Sequence, residues 1–94
     1  MIMPKRKPAE QIFQQFCEGY AQRNLPLLLS LFTQNTNVWG SALDEYRVGL
    51  KEIEEQFKRD WSQSEQGKIE VVRFVPTADN ALWAAAVCNA RVTI

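Results

Sequence analysis

Residues 81–94 read ALWAAAVCNARVTI, and the fold turns on whether they form a helix or a strand. The alanines favour a helix. The alternation favours a strand: Leu82, Ala84, Ala86, Cys88, Ala90, Val92 and Ile94 fall on one apolar face. Trp83, Val87, Asn89, Arg91 and Thr93 fall on the other, which is mixed. Because the period of two runs through the whole segment, it is read as a strand over Ala81 to Ile94. Upstream, Lys68 to Val75 is rich in β-branched residues and is closed by Pro76, which also reads as a strand. Residues 77–80 (TADN) supply the turn, so the two segments are expected to pair as an antiparallel hairpin. The uniform face is assigned inward. Trp83, Val87, Asn89 and Arg91 are then directed outward, towards a second copy of the chain. With the faces reversed, Arg91 would sit inside and could bind a carboxylate.

Before this hairpin the period is helical. Ile12, Phe13, Phe16 and Tyr20, with Cys17 beside them, mark a first helix over Ala9 to Gln22. Asn24 reads as the N-cap of a short second helix, Leu25 to Phe32, with Pro26 in its first turn. Leu27, Leu28, Leu29, Leu31 and Phe32 make that helix apolar nearly all round, so it must be buried. Leu50, Ile53, Phe57 and Trp61 form the stripe of a third helix, Leu50 to Ser62. Its early glutamates and late Lys58 and Arg59 suit the helix dipole. Glu54–Lys58 and Glu55–Arg59 are favourable i,i+4 pairs. Between the second and third helices, Val38–Trp39 and Glu45–Val48 read as short extended pieces. The fold class is therefore α+β, with residues 9–94 forming one domain and residues 1–8 a flexible tail.

Composition narrows the function. The chain has 94 residues, eleven basic and eleven acidic, and no histidine. A net charge of zero gives no field for nucleic acid or an anionic membrane. Without histidine, the commonest metal ligand and the commonest neutral-pH base are both absent. Cys17 and Cys88 have no zinc-like spacing and sit in apolar patterns, so free thiols in a reducing, cytoplasmic setting are expected. No signal core and no run of membrane-spanning length is visible. No cofactor or metal is expected.

Three segments, FCEGYAQRNLPLLLSLF, NVWGSALDEYRVGLKEIEEQFKRDW and VVRFVPTADNALWAAAV, follow one another in an order that resembles the nuclear-transport-factor-2-like superfamily, home also to SnoaL-like and ketosteroid-isomerase-like proteins. The resemblance runs from Ala9 to Ile94. It implies a cone: a curved antiparallel sheet on the helices, an apolar pocket inside, and a homodimer across the sheet. The family usually has two further strands, so the resemblance implies a chain shortened at its C-terminus, or a partner on the last strand.

Aligned on Phe32, the isomerase-like pattern puts Gly40 at the position of the catalytic base and Phe16 at that of the tyrosine donor. Its second, acidic donor would lie beyond Ile94. Steroid-isomerase chemistry is therefore not expected. Remaining candidates for catalysis are Glu45, Asp44 and Asp60, with Asp60 expected to pair with Arg73 or Arg47. Tyr20 and Tyr46 are possible donors. The expected pocket lining is Phe16, Tyr20, Trp39, Tyr46, Phe57, Trp61, Ala84 and Ala86, with Trp39 as its wall. The leading expectation is a non-catalytic module binding a small apolar or acidic ligand, or serving dimerisation. The alternative is a small SnoaL-like enzyme acting on an apolar cyclic substrate through a pocket acid.

Overall fold

Helix α1 (Pro8–Gln22) opens the computed structural model, which describes residues 7–40 and 45–94. It is followed by α2 (Leu25–Ser30), β1 (Asn37–Trp39), β2 (Tyr46–Val48), α3 (Gly49–Ser62), β3 (Gln66–Phe74) and β4 (Ala86–Thr93). The class is α+β, as read from the sequence: β1 pairs with β2 and β3 with β4, both antiparallel, and among the described residues neither pair closes into a barrel.

Each helix ends for a local reason. Pro8 starts α1 where a missing N–H costs nothing. Arg23 stops it in the left-handed region, at φ 55°. A non-glycine residue there costs about 1 kcal/mol. Its guanidinium offsets that cost by donating to the Trp61 carbonyl (3.0 Å) and the Ser64 carbonyl (2.8 Å), at the end of α3. In α2 the Asn24 side chain accepts from the Leu27 amide at 3.2 Å, as an N-cap should. This helix closes at Ser30, short of the expected Phe32. The amides of Leu31 and Phe32 reach back three residues, to the carbonyls of Leu28 and Leu29, and so tighten the last turn.

The core follows from the stripes. Leu28 (0% exposed), Ile53 and Phe57 are buried together, with Phe16, Tyr20, Phe32, Val38 and Trp61 packed around them. Glu54 and Lys58 form the expected i,i+4 pair, at 3.7 Å.

In the first hairpin Val38 stands opposite Arg47, and Trp39 opposite Tyr46. Alternation sends Val38 into the core, so Trp39 and Tyr46 face outward together. The turn into α3 uses Gly49 at φ 84°, a conformation natural to glycine. Its amide bonds the Thr36 carbonyl at 2.9 Å. The Glu52 carboxylate accepts from the Val48 amide at 3.0 Å.

The second hairpin contains a bulge. Register runs from Gln66↔Thr93 to Val71↔Cys88, then resumes at Arg73↔Val87 and Phe74↔Ala86, leaving Val72 unpaired. Gly67, Ile69 and Val71 face the helices. Strict alternation would put Arg73 on that face next. The extra residue reverses the parity, so Arg73 is exposed and Phe74 turns inward. Strand β4 begins at Ala86, not at Ala81 as the alternation suggested. Pro76 has no amide to donate, and the pairing ends at the bond from the Val75 amide to the Ala85 carbonyl. Residues 81–85 are consequently outside the ladder, and Leu82 is 97% exposed.

Replacing Leu28 with alanine is expected to cost about 2–5 kcal/mol by the cavity it leaves. The same change at Leu82 should stay within about 0.5 kcal/mol. Urea denaturation of the two variants checks the contrast.

Candidate functional site

A cavity of about 500 Å³ opens between the N-terminal half of α1 and the 74–86 region. All five phenylalanines of the chain line it: Phe13, Phe16, Phe32, Phe57 and Phe74. Ala9, Ile12, Leu31, Val38 and alanines 84–86 complete the wall. The rings are ordered among themselves. Phe13 and Phe16 lie nearly parallel, with centroids 5.9 Å apart. Phe74 stands edge-on to Phe13 at 6.4 Å, and Phe32 edge-on to Phe16 at 6.2 Å. Such pairs hold their geometry through ring electrostatics beyond simple burial. Every lining side chain is apolar, and none can donate, accept or titrate.

Three features build this wall. The α1 spacing places Phe13 and Phe16 on one face, the bulge in β3 brings in Phe74, and the small alanines leave the space empty. Of the expected lining residues, Phe16, Phe57, Ala84 and Ala86 are in the wall. Tyr20 and Trp61 are packed further along the same aromatic row, at 6.1 Å from each other. Trp39 and Tyr46 are on the outer face of the first hairpin, stacked at 4.0 Å, with Trp39 76% exposed. Trp39 is therefore not the pocket wall, because the hairpin register gives that place to Val38. Sequence reasoning left out Phe13, Phe32 and Phe74. The first two were legible as members of helical stripes, whereas Phe74 depends on a bulge that no pattern announces.

The polar candidates gather at the other end of the aromatic row. The Tyr20 hydroxyl sits against the Asp60 carboxylate. Asp60 Oδ1 accepts from Gln56 Nε2 at 2.8 Å. Its partners are thus Tyr20 and Gln56, not the expected Arg73 or Arg47: Gln56 lies one turn earlier on α3, and Arg73 is turned to the exposed side of its strand. Burial, followed by the Asp60 charge, raises the Tyr20 phenol above its ordinary value of 10.0, and the Glu45 charge adds to this. Glu45 itself folds over Gly40. A Cβ on Gly40 would come within 2.6 Å of the Glu45 Cβ, so glycine is required there by close packing. Asp44 lies outside the described residues. Neither Glu45 nor Asp60 reaches the cavity wall.

On the expected dimer face, Trp83, Val87, Asn89 and Arg91 are all exposed. Both cysteines are free thiols. Burial and the neighbouring Cys88 raise the Cys17 thiol, which keeps it protonated and unreactive. Among the described residues no cluster of three or more His, Cys, Asp or Glu could hold a metal, and no helix is long and apolar enough to cross a membrane.

No protein-family model matches the chain, and no curated protein matches it. Among solved structures it is similar to a hypothetical protein with a ketosteroid isomerase-like fold from Catenulispora acidiphila, crystallised in complex with trimethylamine. The two share 15% identity over 93% of this chain and 75% of that one, with a TM-score of 0.66. The fold is thus ketosteroid-isomerase-like, in agreement with the resemblance carried by the sequence segments.

The Tyr20 environment gives a pH dependence with a definite sign. Above pH 10 the folded chain retains the phenol proton while the unfolded chain has released it. The native state then binds more protons, so stability must fall as pH rises from the unfolded value through the raised one. Tyr20→Phe should flatten this fall, seen as a smaller loss of the urea midpoint between about pH 9 and about pH 11.

Proposed function

We propose that this chain is a non-catalytic module that binds a small, largely apolar molecule in the phenylalanine cavity. One observation carries the reading: a roomy concave site whose wall contains no titratable or hydrogen-bonding side chain. Its size falls within the range of small-molecule sites, roughly 300–1,000 Å³. Affinity there would come from apolar burial, about 25 cal/mol per Å² removed from water. General acid–base catalysis needs a group within hydrogen-bond reach of the reacting atom, and the wall supplies none.

The alternative, a small enzyme acting on an apolar cyclic substrate, draws on the Tyr20–Asp60 contact and the nearby Glu45 charge. It would require the substrate to reach beyond the cavity to the far end of the aromatic row. We further propose a homodimer through the outer face of the second hairpin. Exposed Trp83 and Val87 support it, since an apolar pair beside Asn89 and Arg91 suits an interface core with a polar rim. A cytoplasmic location fits the two free thiols.

Fluorescence titration with a neutral apolar dye tests the binding reading. Ala86→Trp should fill the cavity and weaken binding at least about tenfold, a change of about 1.4 kcal/mol. No binding by the unmodified chain across neutral, acidic and alkylammonium probes would favour a purely protein-interaction role.

A further inference from the structure

Strand β4 leaves one edge of its sheet open. The sheet has two strands, and among the described residues nothing pairs with β4 on the side away from β3. Two hydrogen bonds fix which backbone groups face which side. The Thr93 carbonyl accepts from the Glu65 amide at 2.7 Å, and the Ala85 carbonyl accepts from the Val75 amide at 2.8 Å. Along an antiparallel strand, the backbone groups of successive residues point to alternate sides. The odd-numbered residues from Ala85 to Thr93 therefore bond towards β3. The amides and carbonyls of Ala86, Cys88, Ala90 and Val92 are directed to the open edge.

The two strands protect their edges unequally. β3 carries the unpaired Val72 of its bulge and the Lys68–Glu70 ion pair at 3.0 Å. Bulges and charges of this kind keep an edge from pairing with another chain. β4 runs from Ala86 to Thr93 without proline or glycine, and Arg91 is its one charged residue. Its inward face is also incompletely covered. Ala90, Val92 and Ile94 share the parity of Cys88, which stands opposite Val71 on the helix side. Helix α1 packs on β3. Beyond it, Val92 and Ile94 are 60% and 95% exposed.

We propose that the open edge of β4 pairs with the same edge of a second copy, antiparallel about a two-fold axis at Ala90, so that the two hairpins form one continuous sheet. The strand is self-complementary in this register. Centring on Ala90 aligns residues 86–94 with themselves over their whole length: Ala90 meets its own copy, Cys88 meets Val92 of the partner subunit, and Ala86 meets Ile94 of the partner subunit. These are the residues whose backbone groups face the edge, so each such pair can exchange both of its hydrogen bonds. Their side chains form one apolar row on the helix side, where Val92 and Ile94 gain cross-strand cover. On the opposite face Asn89 meets Arg91 of the partner subunit, with no like charges opposed. Centring on Arg91 would set the two guanidinium groups against each other, which is unfavourable. Because the contact uses the same edge on both copies, it closes at two. It is a second surface of the hairpin and does not rest on the outer-face contact of Trp83 and Val87.

Sedimentation and amide hydrogen exchange on the unmodified full chain test the pairing directly. Sedimentation should show a concentration-dependent passage from monomer to dimer. Across that passage the Cys88, Ala90 and Val92 amides should slow at least about tenfold. The Asn89 and Arg91 amides, directed to β3 in both states, serve as the internal reference. A chain that stays monomeric overturns the proposal. So does a dimer in which the three edge amides remain fast while Trp83 emission shifts, a result that would place the contact on the outer face. Two variants at exposed Asn89 then read the register. Opposite Arg91, Asn89→Asp should tighten the dimer about fivefold at low ionic strength, and Asn89→Lys should weaken it by about the same factor. The reverse order, or no effect of either, overturns the Ala90-centred register.

Discussion

The rings of Phe16, Tyr20, Phe32 and Trp61 close on Phe57, with centroids between 5.7 Å and 6.2 Å from it. Phe57 thereby ties α1, the end of α2 and α3 together. Leu28 and Ile53 seal the same contact from behind. Such a small domain has little core to spare. Removing this ring would loosen the contact of α1 and of the α2 end with α3 at once. The aromatic row also has two ends of different character. Towards Phe13 and Phe74 the packing opens into the cavity. Towards Tyr20 and Trp61 it closes, and the polar cluster begins.

The two ends therefore differ in chemistry as well as in packing. Phe16 and Gly40 occupy the positions that the resemblance assigns to a donor and a base. The acids that remain, Glu45 and Asp60, act on the Tyr20 hydroxyl at the packed end. Buried polar atoms there, Gln56 Oε1 and Trp61 Nε1, have no protein partner among the described residues. The cavity end has room but no acid, and the polar end has acids but close packing.

Much of the architecture was legible in the sequence, because periodicity reports burial directly. The stripes of α1 and α3 and the Asn24 cap appear where the patterns put them, and β3 begins at Gln66, two residues before the expected Lys68. What was not legible depended on parity. In a three-residue strand such as Asn37–Trp39, either face can be inward, and tertiary packing chose Val38 over the larger Trp39. In β3 a single extra residue exchanged Arg73 for Phe74. The start of β4 likewise depended on Pro76 in the partner segment, not on its own alternation. The hydrogen bond from Lys7 to Thr77 was hidden for a different reason: the two lie seventy residues apart, and no local pattern encodes it.

We propose that the five phenylalanines form the wall of one ligand site. Fluorine-labelled phenylalanine gives one resonance per ring, five in this chain. Addition of a saturating apolar ligand should move all five along a common binding curve, while a fluorine label on Trp39, which faces away from the cavity, stays still. Movement of Trp39 with the phenylalanines unperturbed would contradict the account and place binding on the outer face of the first hairpin.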